Sequence, residues 1–357
     1  MAQGLRRTVQ GGYHQFAIRT RIFFLSSVTC LPSFFIYHLC SVIRLVNIVQ
    51  NSVDSQIPVT KIHNVLIIAD IEGSSGCWDY RASSFMTPQW ARACVAMTHD
   101  VSAVVDALFK DGVEHITVKD FHRTGYNLLS EMINTKTEII HGYRRGPVPG
   151  LGNPGKAQAV IFMGMHAASG TDGFLAHTLT SRIAYLAVNG KPMAEIELFA
   201  SALAPFMVRP IFFSGCPVAC EQAGSVIENI TLYPIEKTIG VEQFDAKEWR
   251  KGLAGSVVES LGNDLTAPYQ PDGPLRAVVT MRDGAHAARK IASRWKLKCH
   301  GNQIIFNSPN IQTLYKELIR ICYLTPLVEK TLPYCLAAYN LWGRIGLAWV
   351  RRQIKKS

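Results

Sequence analysis

The feature that most restricts the fold of this chain is an alternation. Between residues 62 and 324, short apolar runs rich in Val and Ile take turns with longer segments whose apolar residues recur every three or four positions. "NVLIIA" ends at Asp70-Ile71-Glu72-Gly73, "HITVKD" spans 115–120 and "AVIFMG" 159–164, and "IAYLAV" (183–188) and "RPIFF" (209–213) read as further strands. The first helix has Thr87 as its N-cap and Pro88 at its first position. It sets Trp90, Cys94, Met97, Val101, Val104, Val105 and Leu108 on one face and closes at Asp111-Gly112. "PMAEIELFASALAPF" reads as another helix. Such alternation predicts an α/β fold, a largely parallel sheet flanked by helices. Past the Pro- and Gly-rich "APYQPDGP" (267–274), the order strand ("LRAVVTM"), helix, short strand ("NQIIFN"), helix predicts a smaller α+β second domain. The expected domains are therefore 62–266, which holds the chemistry, and 275–324, with tails at 1–61 and 325–357.

The 357-residue chain carries a formal charge of +11, which by itself suggests a nucleic-acid partner. Its distribution argues against one. Each tail nets +5 and the body between them only +1, so no basic groove is expected. In the N-terminal tail, Arg6, Arg7, Arg19 and Arg21 precede Ile22–Ile43, an apolar stretch with no charged residue. Its length suits a membrane span, whereas Pro32 and its polar residues suit a poorly ordered extension or a segment absent from the native product. The C-terminal tail, "LAAYNLWGRIGLAWVRRQIKK", suits a helix on a membrane surface or one packed on a neighbouring subunit. Nine cysteines without regular spacing, Cys216 and Cys220 among them, fit buried reduced thiols in a cytoplasmic protein, with membrane association through the tails left open.

Ligands of parallel α/β sheets bind beyond the carboxyl ends of the strands. Reading those ends in turn gives Asp70 and Glu72, then Asp120 and His122 from "KDFH", then His166 from "MGMHAASG". Further on, "AHT" adds His177 and "GKPMAE" adds Glu195. Asp70 and Glu72, two apart in an extended segment, point the same way and repel unless a positive group lies between them. Histidines and carboxylates converging at one sheet edge are ligand types for Zn2+ or a related divalent ion, and a shared ligand is the device of two-metal hydrolases. Taken singly, Asp70 and Glu72 read more readily as a solvated turn or N-cap than as ligands, and His166 as readily as a hydrogen-bonded core histidine; three consecutive strand ends together favour a metal. His115 and His141 read as structural.

The motifs "ADIEG", "KDFH", "FMGMHA", "AHT" and "VNGKPMAEIEL", in this order and spacing, resemble the M55 family of zinc D-aminopeptidases across residues 63–324. The resemblance implies two zinc ions per subunit with Asp70 bridging them, Glu72 and His166 completing one, and His122 and Glu195 the other. It implies a catalytic His177, described in that family as a nucleophile; from chemistry alone, a general acid–base or oxyanion-stabilising role suits it better. It also implies release of the N-terminal residue from short peptides, including D-residues, by a ring-shaped homo-oligomer. The chain departs from the family pattern at Cys216-Pro217, where an acidic pair is usual, and echoes a Lys- and Gly-containing segment only through Lys237 and Gly240. The competing readings are a two-metal hydrolase of another amide or a phosphoester, and an inactive, membrane-tethered peptide-binding homologue.

Overall fold

A computed structural model describes residues 61–356. The apolar, arginine-flanked segment at 22–43, and with it the expected membrane span, lies outside the described residues.

Strand β1 (Asn64–Ala69) is the centre from which the rest is laid out. Its pleat sends Leu66 and Ile68 into one core and Val65, Ile67 and Ala69 into another, so both faces must be covered. Helix α1 (Pro88–Asp111) covers the second face. Its start is fixed by the Thr87 hydroxyl, which accepts the N–H of Trp90 at 3.0 Å, and its end by Gly112 at φ 97°. The seven apolar residues expected on one face are all buried, each contributing about 1.5–3 kcal/mol by removal from water.

Strands β2 (His115–Asp120), β3 (Glu138–Ile140), β4 (Ala159–Met165), β7 (Arg209–Gly215) and β8 (Thr231–Pro234) join β1 in a six-stranded, all-parallel sheet of order β3-β2-β1-β4-β7-β8. The strand order reverses between β1 and β4. At such a point the connections leave in opposite directions and open a crevice beyond the strand ends.

"IAYLAV" does not continue this sheet. It forms β5 (Ile183–Val188), which turns through Asn189-Gly190, at φ 50° and 81°, into β6 (Lys191–Pro192). Two consecutive positive φ values make the tight turn of an antiparallel hairpin, for which Asn-Gly is the favoured pair. With β9 (Leu275–Met281), β10 (Lys298–His300) and β11 (Gln303–Ser308), the hairpin makes a five-stranded antiparallel sheet, order β10-β11-β9-β5-β6. Pairing in β6 also delays the helix expected from Pro192, so α2 is Glu195–Leu203 with a single 3-10 turn after it. Helices α3 (Pro217–Val226), α4 (Ala246–Ser260), α5 (Gly284–Trp295) and α6 (Ile311–Tyr323) complete the layers.

The C-terminal residues form a short helix α7 (Pro326–Lys330) and a long one, α8 (Leu332–Ile354). One face of α8 packs on the body of its own chain: Leu347 and Val350 are buried, Trp349 stacks on Trp90 and Trp342 lies against Phe85. Gly343 and Gly346 leave room for the rings of Tyr126 and Phe85, which a Cβ would overlap. Among the described residues no helix is long and apolar enough to cross a membrane. The seven described cysteines are all free; Cys216 and Cys220 are buried at the start of α3.

Candidate metal centre

The crevice at the strand-order reversal holds the residues singled out in the sequence. Asp70 follows β1, His122 lies two residues past β2, and His166 follows β4. Two glycines permit this convergence. A Cβ on Gly73 would lie 2.5 Å from the Met165 carbonyl oxygen, and one on Gly164, at φ 70°, would overlap the carbonyl oxygen of Asp70. The carboxylate loop and the end of β4 therefore touch backbone to backbone.

Asp70, Glu72, His122, His166 and Glu195 are all buried. The two oxygens of Asp70 face different histidines, Oδ1 at 3.1 Å from His122 Nδ1 and Oδ2 at 3.5 Å from His166 Nε2. Glu72 Oε2 lies 2.9 Å from His122 Nδ1, and Glu195 Oε2 lies 3.6 Å from His166 Nε2. Among the described residues, two groupings have donor atoms that all lie within 4.8 Å of one another: Asp70, Glu72 and His166, and His166, His177 and Glu195. His122 approaches Asp70 and Glu72 in these contacts.

Each histidine is oriented by a backbone carbonyl. His122 Nε2 donates to Ser83 O at 2.8 Å, leaving Nδ1 toward the carboxylates. His166 Nδ1 donates to Ala167 O at 3.2 Å and His177 Nδ1 to Leu175 O at 2.8 Å, which leaves both Nε2 atoms free to act as Lewis bases. The rings of His166 and His177 stack 3.8 Å apart. Glu195 opens α2, where the helix end favours its charge, and its Oε1 accepts the N–H of Leu179 at 2.7 Å. Leu175 and Leu179, which supply two of these backbone groups, hold φ of 49° and 62°, a strained state for a leucine that surrounding structure must impose.

Burial and crowding set the ionisation of the site. Burial pushes the Glu72 carboxyl up, reinforced by the Asp70 charge beside it. Burial also raises the Asp70 carboxyl, but hydrogen bonding to His122 and Glu72 and the charges of His122 and His166 together outweigh this and hold it well below the usual range. Burial opposes a charge on His122, yet Glu72 and Asp70 together raise it to about 10. Glu195 is raised by burial, and His177 is lowered by burial and by His166 next to it.

The residues fit divalent metal. Glu72 Oε2 is fully buried and accepts no hydrogen bond, although it sits beside His122. Three buried carboxylates around three oriented imidazoles form an oxygen- and nitrogen-donor set of the kind that holds zinc.

Comparison with known proteins agrees with this reading. The family model described as Peptidase_M55, D-aminopeptidase, matches residues 64–319. The chain belongs to the M55 peptidase family. A D-aminopeptidase of Bacillus subtilis (strain 168) is 25% identical over 256 residues, covering 70% of this chain and 90% of that one. Among solved structures, the Zn-dependent D-aminopeptidase DppA from Bacillus subtilis, described as a self-compartmentalizing protease, superposes with a TM-score of 0.65 at 19% identity. It covers 72% of this chain and 96% of its own. This M55 chain thus has the D-aminopeptidase-like fold of a hydrolase family, an α/β body with a candidate dinuclear metal cluster, and its residues 320–356, including α7 and α8, lie beyond the family match.

Two residues named in the sequence, Asp120 and Lys237, take supporting places around the site. Asp120, at a strand end, accepts hydrogen bonds from the backbone N–H of Asn127 and Leu128 and from the Asn127 and His141 side chains, shaping the loop that carries His122. Lys237 donates to the carbonyls of Ser74 and Cys77 at 2.6 and 2.7 Å, bracing the loop that carries Asp70 and Glu72. Burial between those groups lowers its ammonium to about 8. A strand-end acid and an isolated lysine were the signals on offer; their backbone partners were not visible.

Proposed function

We propose that this M55 chain is a zinc-dependent aminopeptidase that releases the N-terminal residue of short peptides, D-residues included, at a site shared by two metal ions. The observation that carries the reading is the Asp70 carboxylate, whose two oxygens face two different histidines. A carboxylate presented that way would be able to hold two divalent ions together with those histidines.

Asp70 is the bridge in this proposal, and Glu72, His166, His122 and Glu195 complete the two ligand sets. Bound there, a pair of divalent ions supplies an activated water and polarises the scissile carbonyl. His177 moves the proton. Its Nδ1 is committed to Leu175 O, so Nε2 is the working atom, and burial favours the neutral ring that can accept a proton from water and return it to the leaving amine. Assembly with further copies of the chain is part of the proposal, on the likeness to the Bacillus relative described as self-compartmentalizing.

The test is a substrate panel: L- and D-configured dipeptides, their N-acetylated forms and simple phosphoesters, offered to the full chain with zinc. Hydrolysis confined to peptides with a free N-terminus supports the proposal. Turnover of phosphoesters or N-acetylated peptides with no turnover of free dipeptides overturns it.

A further inference from the structure

Helix α8 is apolar on two opposite sides, and its own chain covers one of them. Gly343, Gly346, Leu347 and Val350 are buried against the body. On the other side Tyr334, Ala338, Leu341, Ile345 and Ala348 are exposed, Tyr334 by 79%, Leu341 by 57% and Ile345 by 47%. Their spacing alternates between four and three residues, which keeps them in one row along the helix. Arg352 and Lys355, also exposed, continue the same spacing. The row is therefore about 30 Å long and turns from apolar to basic at its C-terminal end. Single apolar side chains on a surface need no explanation, but a continuous row of them marks a contact.

The charge around this row has one sign. Residues 332–357 contain Arg344, Arg351, Arg352, Lys355 and Lys356 and no aspartate or glutamate. Arg351 is held by Glu131. The other four are exposed, and among the described residues none of them belongs to an ion pair. The inner side of the helix is fastened independently, by Trp349 on Trp90, by Trp342 against Phe85, and by Asn340, whose side chain accepts from the Tyr143 N–H at 3.1 Å and donates to its carbonyl at 3.3 Å. The outward face is thus presented on a helix already in place, so contact with it needs no further ordering of the chain.

We propose that the outward face of α8 docks on an anionic lipid bilayer, with the apolar row entering the headgroup boundary and the four unpaired cations meeting lipid anions. Amphipathic helices that combine an apolar stripe with Lys and Arg lie in the interface in this way. Tyr334 on the row and Trp342 at its flank, 48% exposed, have apolar rings with a polar tip, the side chains suited to the boundary between acyl chains and water. With its inner side held on the body, α8 lies along the bilayer and does not cross it. Charge selects this occupant over a second copy of the chain. A second α8 laid on the face would bring four more unpaired cations and no carboxylate, whereas an anionic leaflet offers each cation a counter-charge. The surface lies beyond the family match, so it is an addition to the hydrolase body and stands whether or not the metal centre cuts peptides.

The test is co-sedimentation of the full chain with vesicles of phosphatidylcholine alone and of an equimolar mixture with phosphatidylserine. Binding should favour the anionic vesicles and weaken with added salt. The double variant Arg352→Gln/Lys355→Gln should weaken it about 25-fold, at about fivefold for each cation near an anionic surface. Leu341→Gln/Ile345→Gln should weaken it about tenfold or more through the lost apolar contact. All four positions are exposed, so both variants should keep the wild-type thermal midpoint. Equal binding to the two vesicle types, or binding to neither, overturns the proposal. So do variants that bind as the wild type does, because the contact then lies elsewhere in the chain. Sedimentation velocity without lipid tests the second copy. A Leu341→Gln/Ile345→Gln chain that falls to a smaller species while keeping its vesicle binding makes the face a contact between copies, which also overturns it.

Discussion

At the scale of single residues, the centre works by giving each imidazole one committed nitrogen and one free. Ser83 O, Ala167 O and Leu175 O take the N–H groups of His122, His166 and His177 and thereby choose the atoms that face the carboxylates. If His177 transfers the proton, His177→Ala should lower kcat by about 10²- to 10⁴-fold, the range of general acid–base contributions, with zinc content unchanged. Loss of one zinc in that variant would assign His177 as a ligand instead, as its grouping with His166 and Glu195 allows. Asp120 acts one layer back. Asp120→Ala would leave the buried N–H groups of Asn127 and Leu128 without acceptors, at about 1–3 kcal/mol each. Zinc affinity should fall about 10- to 100-fold, because the loop bearing His122 loses its frame. Titration of zinc into the stripped variant measures this.

At the scale of elements, the site depends on how closely the chain passes itself. Gly164 touches the carbonyl of Asp70 with φ at 70°, so Gly164→Ala meets both a forbidden backbone region and an overlap. It should cost more than the roughly 1 kcal/mol scale of ordinary Gly/Ala effects, seen as a lowered denaturation midpoint together with weakened zinc binding. Helix α8 is fastened at its far end by Arg351, whose Nε and Nη2 donate to the two oxygens of Glu131 at 2.7 and 2.8 Å. That pairing lowers the Glu131 carboxyl from 4.5 to about 2. A depressed acid adds stability above its unfolded pKa and loses it as pH falls through the folded one. The stability gap between wild type and Glu131→Gln should therefore be full above about pH 5, shrink below 4.5 and close near 2. Because the pair is largely exposed, the gap should be small and should diminish with added salt.

The elements also show why some of the structure could be read from sequence and some could not. β1 and β4 are legible because strands buried on both faces are continuously apolar, and β2 because Ile116 and Val118 alternate with polar residues; a polar residue at or just past the exit of each stands out: Asp70, then His122, then His166. The placing of β5 was written in Asn189-Gly190, a hairpin turn, but a strand in an alternating series reads as one more parallel strand until its partner is known. Nothing in α8 announces whether an apolar face meets lipid, another subunit or its own chain; it meets Trp90 and Phe85 of its own body. The carbonyls that orient the histidines carry no side-chain signature, so that layer of the site becomes visible only in three dimensions.

At the scale of the whole molecule, a parallel sheet brings its strand ends to one crevice, and Leu179, shortly before β5 of the antiparallel sheet, joins it through its N–H to Glu195. Without metal the buried acids and histidines have only one another: burial, with the Asp70 charge second or lower, raises Glu72 and Glu195, and Glu72 and Asp70 raise His122 against its burial. Removing the metal with a chelator should therefore lower the thermal midpoint as well as abolish hydrolysis, and restored zinc should recover both. The central claim is that Asp70 joins two ions. Its most direct test is the metal content of the purified full chain and of Asp70→Ala, by elemental mass spectrometry after exhaustive dialysis. The account predicts two zinc ions per chain and near-total loss of both when Asp70 is removed. A chain that retains no metal, or an Asp70→Ala variant that keeps both ions, would contradict it.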